Sequence, residues 1–305
     1  MLAATSAATD DRLVTVTARA KVNLALHVTG RRSDGYHELD SIVAFAALEG
    51  TDGDRLTIRF GEGPATLVVT GPFAAGVPVD GSNSALAAAA AVGGIAAITL
   101  EKNLPVAAGI GGGSADAAAV LRAAAYRSGR PLAALESLAL GLGADVPVCL
   151  HERSARMRGI GERLTALACP VVPALLVNPG VEVSTPAVFR ALTQRQNPPL
   201  PDWPQEAPES AAALAGWLGA TRNDLEPPAR SIAPVIGTVV DDVAAAPGCL
   251  LVRMSGSGAT VFGLFATEAD RDRAADRIAA ARADWWVGRA RLGGDVDASD
   301  EVANA

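Results

Sequence analysis

The run PVAAGIGGGSADAAAVLRAA, from Pro105 onward, concentrates the residue types that hold an anion without using a charged side chain. Gly109, Gly111, Gly112 and Gly113 strip side chains from a tight loop, so that successive backbone N–H groups can converge on one point. Ser114 is expected to begin a helix whose positive end faces that same point, and the combination suits a phosphate. Two familiar phosphate motifs fail on spacing. Lys21 follows Ala20 and Lys102 follows Glu101, so no lysine completes GxxxxGK[ST], and counting from Gly109 puts Ser114 where GxGxxG needs its last glycine. A structural turn is the alternative for glycines alone; three in a row before a helix favour a ligand.

Of 26 basic residues only Lys21 and Lys102 are lysine, the rest being arginine. A compact ammonium differs from a guanidinium in shape and hydration, so both positions are candidates for a task that arginine cannot perform. Asp116 is expected in the first turn of the loop's helix, where a carboxylate caps or braces. Cys149, Cys169 and Cys249 are widely spaced, without a CxxC pair or a histidine cluster, and read as small buried hydrophobes. His27 and His151 belong to no motif and read as structural.

The elements that must position these groups follow from the pattern. Residues 12–29 read as extended, with Val22, Leu24, Leu26 and Val28 alternating against polar or small residues, which places Lys21 and Asn23 on one face. Ser41–Leu48 is mostly apolar, and further strands are expected at Arg55–Phe60, Thr66–Thr70 and Ile98–Leu100, with Ala-rich helices after Ser82 and along the glycine loop and a third near Leu132–Leu140. After Pro170 a strand ALLVNP opens a second unit. A helix then starts at Ser184, Thr185 and Pro186, capped by a hydroxyl, and NPPLPDWPQEAPES is a loop. Helix Arg230–Ala244, strands Leu250–Met254 and Thr260–Phe265, helix Glu268–Ala281 and strand Trp286–Leu292 suit helices on one face of an antiparallel sheet. With 305 residues, half of them apolar, two domains are expected, at 12–165 and 170–292, with disordered termini at 1–11 and 293–305. A net charge of −7 without a basic run argues against nucleic acid and anionic membranes. The absence of a signal-like start or a long apolar segment gives a cytoplasmic expectation.

The glycine loop, KVNLALHVTGRRSDGYHEL near the start, LGADVPV in the middle and RMSGSGATVFGLF near the end together resemble the GHMP kinase family, in the right order and over about residues 12–292. The segments Asp34–His37 and Leu142–Pro147 are similar to the branch that acts on a cytidine-diphosphate-linked methylerythritol. The resemblance implies an α+β fold: an N-terminal α/β ATP-binding domain, a C-terminal ferredoxin-like domain and an active site in the cleft between them. It places Lys21 and Asp145 at the catalytic positions. The run Pro105, Val106, Ala107, Ala108, Gly109, Ile110, Gly111, Gly112, Gly113, Ser114 and Ala115 falls on ATP, and Asn23, Tyr36, His37, Ile160, Thr185 and Phe189 fall on the acceptor. The chemistry is coherent: a carboxylate takes or orients the proton of a weakly nucleophilic hydroxyl while a cation offsets charge on the moving phosphoryl group. As alternatives, Asp145 could cap the structure that follows it, Phe189 could be plain core, and SGSGAT could be a hairpin or a support for the cleft.

The implied reaction is phosphorylation of the 2-hydroxyl of the methylerythritol by ATP, giving the 2-phosphate and ADP, within the non-mevalonate route to isoprenoid precursors. Mg2+ is implied by the phosphoryl chemistry, with Ser114, ATP oxygens and water as its ligands. The partner is thus a small molecule, and the chain is a monomer or a homodimer. A kinase for another small alcohol, such as homoserine or mevalonate, is the runner-up, and a silent nucleotide-binding module is the remote one. Two departures from the family pattern stand out: GSNSALAAAAAVGGIAAITLE is short and Ala-rich, and Ala115 replaces a common serine.

Overall fold

The computed structural model describes residues 13–294 and 303–304. The chain runs β1 (Leu13–Ala18), β2 (Ala20–Arg31), β3 (His37–Leu48), β4 (Asp54–Phe60), β5 (Thr66–Thr70), α1 (Ser84–Val92), β6 (Ile95–Glu101) and α2 (Gly112–Ser128). A 3-10 turn, Leu132–Leu135, leads into α3 (Glu136–Leu142), α4 (Val146–His151), β7 (Ala155–Gly159), β8 (Arg163–Ala166) and β9 (Val172–Asn178). The remainder is α5 (Thr185–Ala191), α6 (Ala211–Leu218), α7 (Glu226–Ile232), α8 (Val235–Ala244), β10 (Cys249–Met254), β11 (Val261–Phe265), α9 (Glu268–Ala281), β12 (Trp286–Leu292) and β13 (Ala303–Asn304).

The expected single extended run at 12–29 is two strands in different sheets, separated at Arg19. In LVTVTA the alternation turns Val14, Val16 and Ala18 inward, which fits a strand of the five-stranded sheet β13-β1-β4-β6-β5 with one face on the core. Strand β2 is buried along almost its whole length and pairs antiparallel with β3, the spine of an eight-stranded sheet. The other edge of β3 is shared, with β7 on its first half and β12 on its last residues. The junction expected near residues 165–170 therefore lies inside one continuous sheet, between β8 and β9.

Small residues set the helix spacing over the first sheet. Ala85, Ala88 and Ala89 of α1 share a core with Ala115, Ala118 and Ala119 of α2, and side chains this short let the two axes approach closely. Asn83 caps α1 by accepting the N–H groups of Ala85 at 2.9 Å and Leu86 at 3.4 Å.

Three expectations are corrected here. The large sheet is covered on both faces: Leu175 and Val177 of β9 pack in the cluster with α8 and α9, while Ala174 and Leu176 pack with Leu214 and Leu218 of α6. An unbroken apolar strand such as ALLV signals that double coverage, and α6 follows the proline-rich loop behind a Ser210 cap. The expected helix 230–244 is two helices, because Pro234 cannot donate within a helix. At the C-terminus Gly293 donates to Phe45 O at 3.3 Å, and Ala303 and Asn304 pair with β1. The remainder of the expected disordered termini, residues 1–11, 295–302 and 305, lies outside the described residues.

Candidate active site

Lys21 leaves β2 beside the glycine loop, and its backbone N–H donates to Ile110 O at 2.9 Å. Its ammonium donates to Asn23 Oδ1 and to Asp145 Oδ2, each at 2.9 Å. The orientation of Asn23 is fixed by a chain of donors: Ser41 Oγ gives its proton to Ala25 O at 2.6 Å, so it must accept from Asn23 Nδ2 at 2.8 Å, which turns Oδ1 toward Lys21. The side chain of Lys21 is 4% exposed and that of Asp145 38%, so the ammonium is enclosed while the carboxylate opens to solvent. Asp145 occupies the N-cap position of α4 but makes no side-chain cap bond; its oxygen goes to the lysine instead. Helix α4 is tied to α2 by Arg122, which donates to Cys149 O at 2.7 Å and pairs with the buried Glu152 at 2.9 Å. Asp145 is thereby held to the helix that leaves the glycine loop.

Helix α2 begins at Gly112, with Gly111 as a left-handed N-cap (φ +67°), rather than at the expected Ser114. Gly109 is required twice over: its φ is +75°, and a Cβ there would lie 2.5 Å from Ser255 O and 2.7 Å from Gly258 O. The close approach exists because the SGSGAT turn between β10 and β11 is bonded to the first loop. Ser255 Oγ donates to Gly109 O at 2.9 Å and accepts from Asn23 N at 3.0 Å, while Thr260 N donates to Ala108 O at 3.1 Å. One serine hydroxyl therefore joins the lysine strand, the glycine loop and the second glycine turn.

Asp116 is placed beyond the first turn of α2 and buried, so it braces rather than caps. Lys102 donates to it at 2.8 Å and to Asp54, and its ammonium lies 3.1 Å from where a Cβ on Gly112 would sit. Asp54 Oδ1 accepts the N–H groups of Asn103 at 2.7 Å and Leu104 at 2.8 Å, whereas Asp116 Oδ1 has no partner. Two carboxylates share one ammonium, and the less supported one keeps the proton. Burial pushes Asp116 up to about 7, with Lys102 opposing and Asp54 reinforcing the rise. Burial also disfavours charge on Lys102, but the two carboxylates outweigh it and hold its pKa above the usual value.

Two cavities meet at Asp145. One, of about 580 Å³, runs from Val77 and Pro78 past Ser84, the glycine loop and Lys102 to Lys21. The other, of about 700 Å³, is walled by Tyr36, His37 and Phe189. Asp145, Ser114, Ile160, Thr185 and Phe189 border both. His37 and Phe189 stack with ring centres 4.7 Å apart and planes 21° apart, and Tyr36 stands 61% exposed at the mouth. Burial, then the charges of Arg31 and Arg195, lower the pKa of His37, so the ring is neutral at pH 7 and presents one donor and one acceptor. Its Nε2 is buried without a partner. The Ser184 hydroxyl makes no cap bond on α5; the neighbouring Thr185 hydroxyl lies 2.7 Å from Ser257 Oγ of the second glycine turn.

Lys21, Asn23 and Asp145 are thus together, and Tyr36, His37, Ile160, Thr185 and Phe189 surround the adjoining space. Within the glycine run, Pro105, Val106, Ala107, Ala108, Gly109, Gly111, Gly112, Gly113 and Ser114 border the first cavity, whereas Ile110 and Ala115 turn their side chains into the core. Ser41, Ser255, Ser257, Asp54 and Lys102 were not assigned to the site from sequence. Of these, Lys102 carried a signal as one of two lysines, and Ser255 and Ser257 lie in the SGSGAT turn that was weighed as a support for the cleft.

Residues 83–153 match the family described as GHMP kinases N terminal domain, and residues 204–284 match GHMP kinases C terminal. The chain is 55% identical over 273 residues to a 4-diphosphocytidyl-2-C-methyl-D-erythritol kinase of Dinoroseobacter shibae, covering 88% of this chain and 92% of that one. It is 54% identical over 284 residues to the kinase of the same name from Cereibacter sphaeroides, covering 91% and 98%. A crystal structure of 4-(cytidine 5'-diphospho)-2C-methyl-D-erythritol kinase superposes with a TM-score of 0.73 at 40% identity, over 92% of this chain and 99% of that one. Homoserine kinase from Cytophaga hutchinsonii, at 19% identity and a TM-score of 0.62, shares the fold. The chain belongs to the GHMP kinase family, among its 4-diphosphocytidyl-2-C-methyl-D-erythritol kinases.

Proposed function

We propose that the protein transfers the γ-phosphoryl group of ATP to the 2-hydroxyl of 4-diphosphocytidyl-2-C-methyl-D-erythritol, giving the 2-phosphate and ADP in the cytoplasmic non-mevalonate route to isoprenoid precursors. One observation carries the reading: a lysine and an aspartate in contact at the seam of two cavities, one floored by a glycine loop and the other walled by aromatic rings.

ATP lies along the first cavity, with its phosphates over the glycine loop and the start of α2, where backbone N–H groups and the helix dipole favour negative charge. The acceptor enters the second, its flat base against the aromatic wall beside the neutral ring of His37. Asp145 orients the acceptor hydroxyl and takes its proton, while Lys21, held rigid by Asn23, offsets charge developing on the phosphoryl oxygens. The residues present fit Mg2+: the Ser114 hydroxyl borders the nucleotide cavity, and the unpartnered Asp116 Oδ1 is a hard oxygen on a residue that borders it too. Bound there mainly through ATP oxygens, with Ser114 as its protein ligand, the ion would neutralise charge on the phosphates.

The test is ADP release in the presence of ATP, Mg2+ and one acceptor at a time, with the product examined by mass and by 31P resonance. The cytidylyl acceptor should give ADP and a monophosphate ester at the 2-position, and homoserine and mevalonate should give none. Equal turnover of either small alcohol, or no acceptor-dependent ADP at all, would overturn the proposal.

A further inference from the structure

The last strand of a sheet offers a row of unpaired N–H and C=O groups to any chain that can align with it, so sheet ends are normally charged, bulged or covered. Here β1 is covered by the two residues of β13, β8 carries Arg163, and β10 is bulged between Cys249 and Leu251. Strand β5, TLVVT, ends the five-stranded sheet with neither charge, proline nor bulge. Its inner edge is taken. Thr66–Thr70 pairs parallel with residues 97–101 of β6, and Lys102 N donates to Thr70 O at 2.7 Å, which makes Thr66, Val68 and Thr70 the residues whose backbone groups face β6. The N–H and C=O groups of Leu67 and Val69 therefore point outward, and among the described residues nothing bonds them. The side chains of Leu67 and Val69 pack on the core, whereas Val68, between two threonines on the open face, is 58% exposed.

The strand is its own complement when reversed about Val68: Leu67 matches Val69, Thr66 matches Thr70, and Pro64 matches Pro72. A second copy related by a two-fold axis meets such a pattern with the same pattern. We propose that two copies of the chain pair antiparallel along β5 about a two-fold axis at Val68, joining their five-stranded sheets. Register and hydrogen bonding agree. The outward groups of Leu67 meet those of Val69 in the other copy, the two Val68 side chains form a closely spaced non-hydrogen-bonded pair, and each Thr66 lies beside a Thr70. Pro64 and Pro72 fall on non-bonded positions and bound the ladder without removing a bond from it. The charges are compatible too: Glu101 flanks Thr70, and Arg59 lies in the row of Thr66, so opposite rather than like charges stand on the two sides of each row that crosses the seam. The contact is small. The five residues of β5 span about 17 Å of edge, and one strand edge falls short of the roughly 1,200 Å² that stable interfaces bury in total. The dimer is thus one that dissociates on dilution, and it does not depend on the substrate assigned above.

Sedimentation velocity of the full chain over a dilution series should show a monomer–dimer equilibrium in the micromolar range or weaker. Val68→Lys sets two ammonium groups against each other at the axis and should weaken the dimer at least about 10-fold while kcat stays unchanged. Thr66→Lys combined with Thr70→Glu brings opposite charges together in both outer pairs and should preserve it. Register is read by cross-linking under mild oxidation, relative to the unsubstituted chain. Val68→Cys should give a disulfide-linked dimer, because the Cβ atoms of a non-hydrogen-bonded pair lie within disulfide reach. Thr70→Cys should not, since the two copies of that position are four residues, about 13 Å, apart along the seam. A monomer at every concentration, a dimer unmoved by Val68→Lys, or equal cross-linking of the two cysteine variants would overturn the proposal.

Discussion

Asp145→Asn lowers kcat about 1,000-fold, within the range expected when a positioned general base is removed, and leaves ATP affinity unchanged. Asparagine keeps the size of the side chain and can still accept the Lys21 bond through its carbonyl, and Lys21 remains anchored to Asn23. The glycine loop, held by Ser255 and Thr260, has no bond to Asp145 and keeps its shape. What the substitution removes is a carboxylate able to take the proton of the acceptor hydroxyl. The folded state loses little, because the carboxylate of this pair is more than a third exposed and solvent already screens it. Steady-state kinetics with both substrates, together with calorimetry of a nonhydrolysable ATP analogue, checks the split. A variant with wild-type kcat would remove Asp145 from the mechanism.

Lys102→Met destabilises the ligand-free protein by about 3–5 kcal/mol at neutral pH, as expected when one partner of a buried charge cluster is deleted. Methionine fills the space of the lysine stem, but Asp54 and Asp116 then face each other without a cation, and both are buried. The cost depends on pH with a definite sign. In the folded wild type Asp116 keeps its proton up to about pH 7, whereas in the unfolded chain it is released near the ordinary value of 3.8. That contribution to stability is complete below about pH 4 and is lost as pH rises toward 7. Asp116→Asn flattens this slope. Lys102→Met steepens it and carries it to higher pH, since without the ammonium, which opposes the rise, Asp116 holds its proton longer. Urea unfolding at pH 5 and pH 8, without nucleotide or Mg2+, reads the difference; Lys102→Met unfolding together with wild type at both values would refute the role of the cluster.

Elements with local signals were legible in the sequence. Helix Glu268–Ala281 and strand Trp286–Leu292 lie where the pattern put them, because a Thr267 cap and clear periodicity specify their ends. The glycine loop was legible because its backbone demands are local. Features that depend on distant partners were not. Lys102 finds its carboxylates 48 and 14 residues away, and Ser255 reaches Asn23 across 232 residues, so neither set of partners can be read from the neighbouring sequence. Helix α6 was hidden behind a proline-rich loop, although the apolar run of β9 already implied that something must cover its second face. The break at Pro234 was readable and shows a local rule overriding an otherwise helical composition.

The most direct test is a ternary structure with a nonhydrolysable ATP analogue and the cytidylyl acceptor. The 2-hydroxyl should lie within about 2.6–3.2 Å of an Asp145 oxygen, in line with the terminal phosphorus of a nucleotide whose phosphates follow the glycine loop. A hydroxyl directed away from Asp145, or a nucleotide seated outside the cavity that Lys21 and Lys102 share, would contradict the assignment of the site.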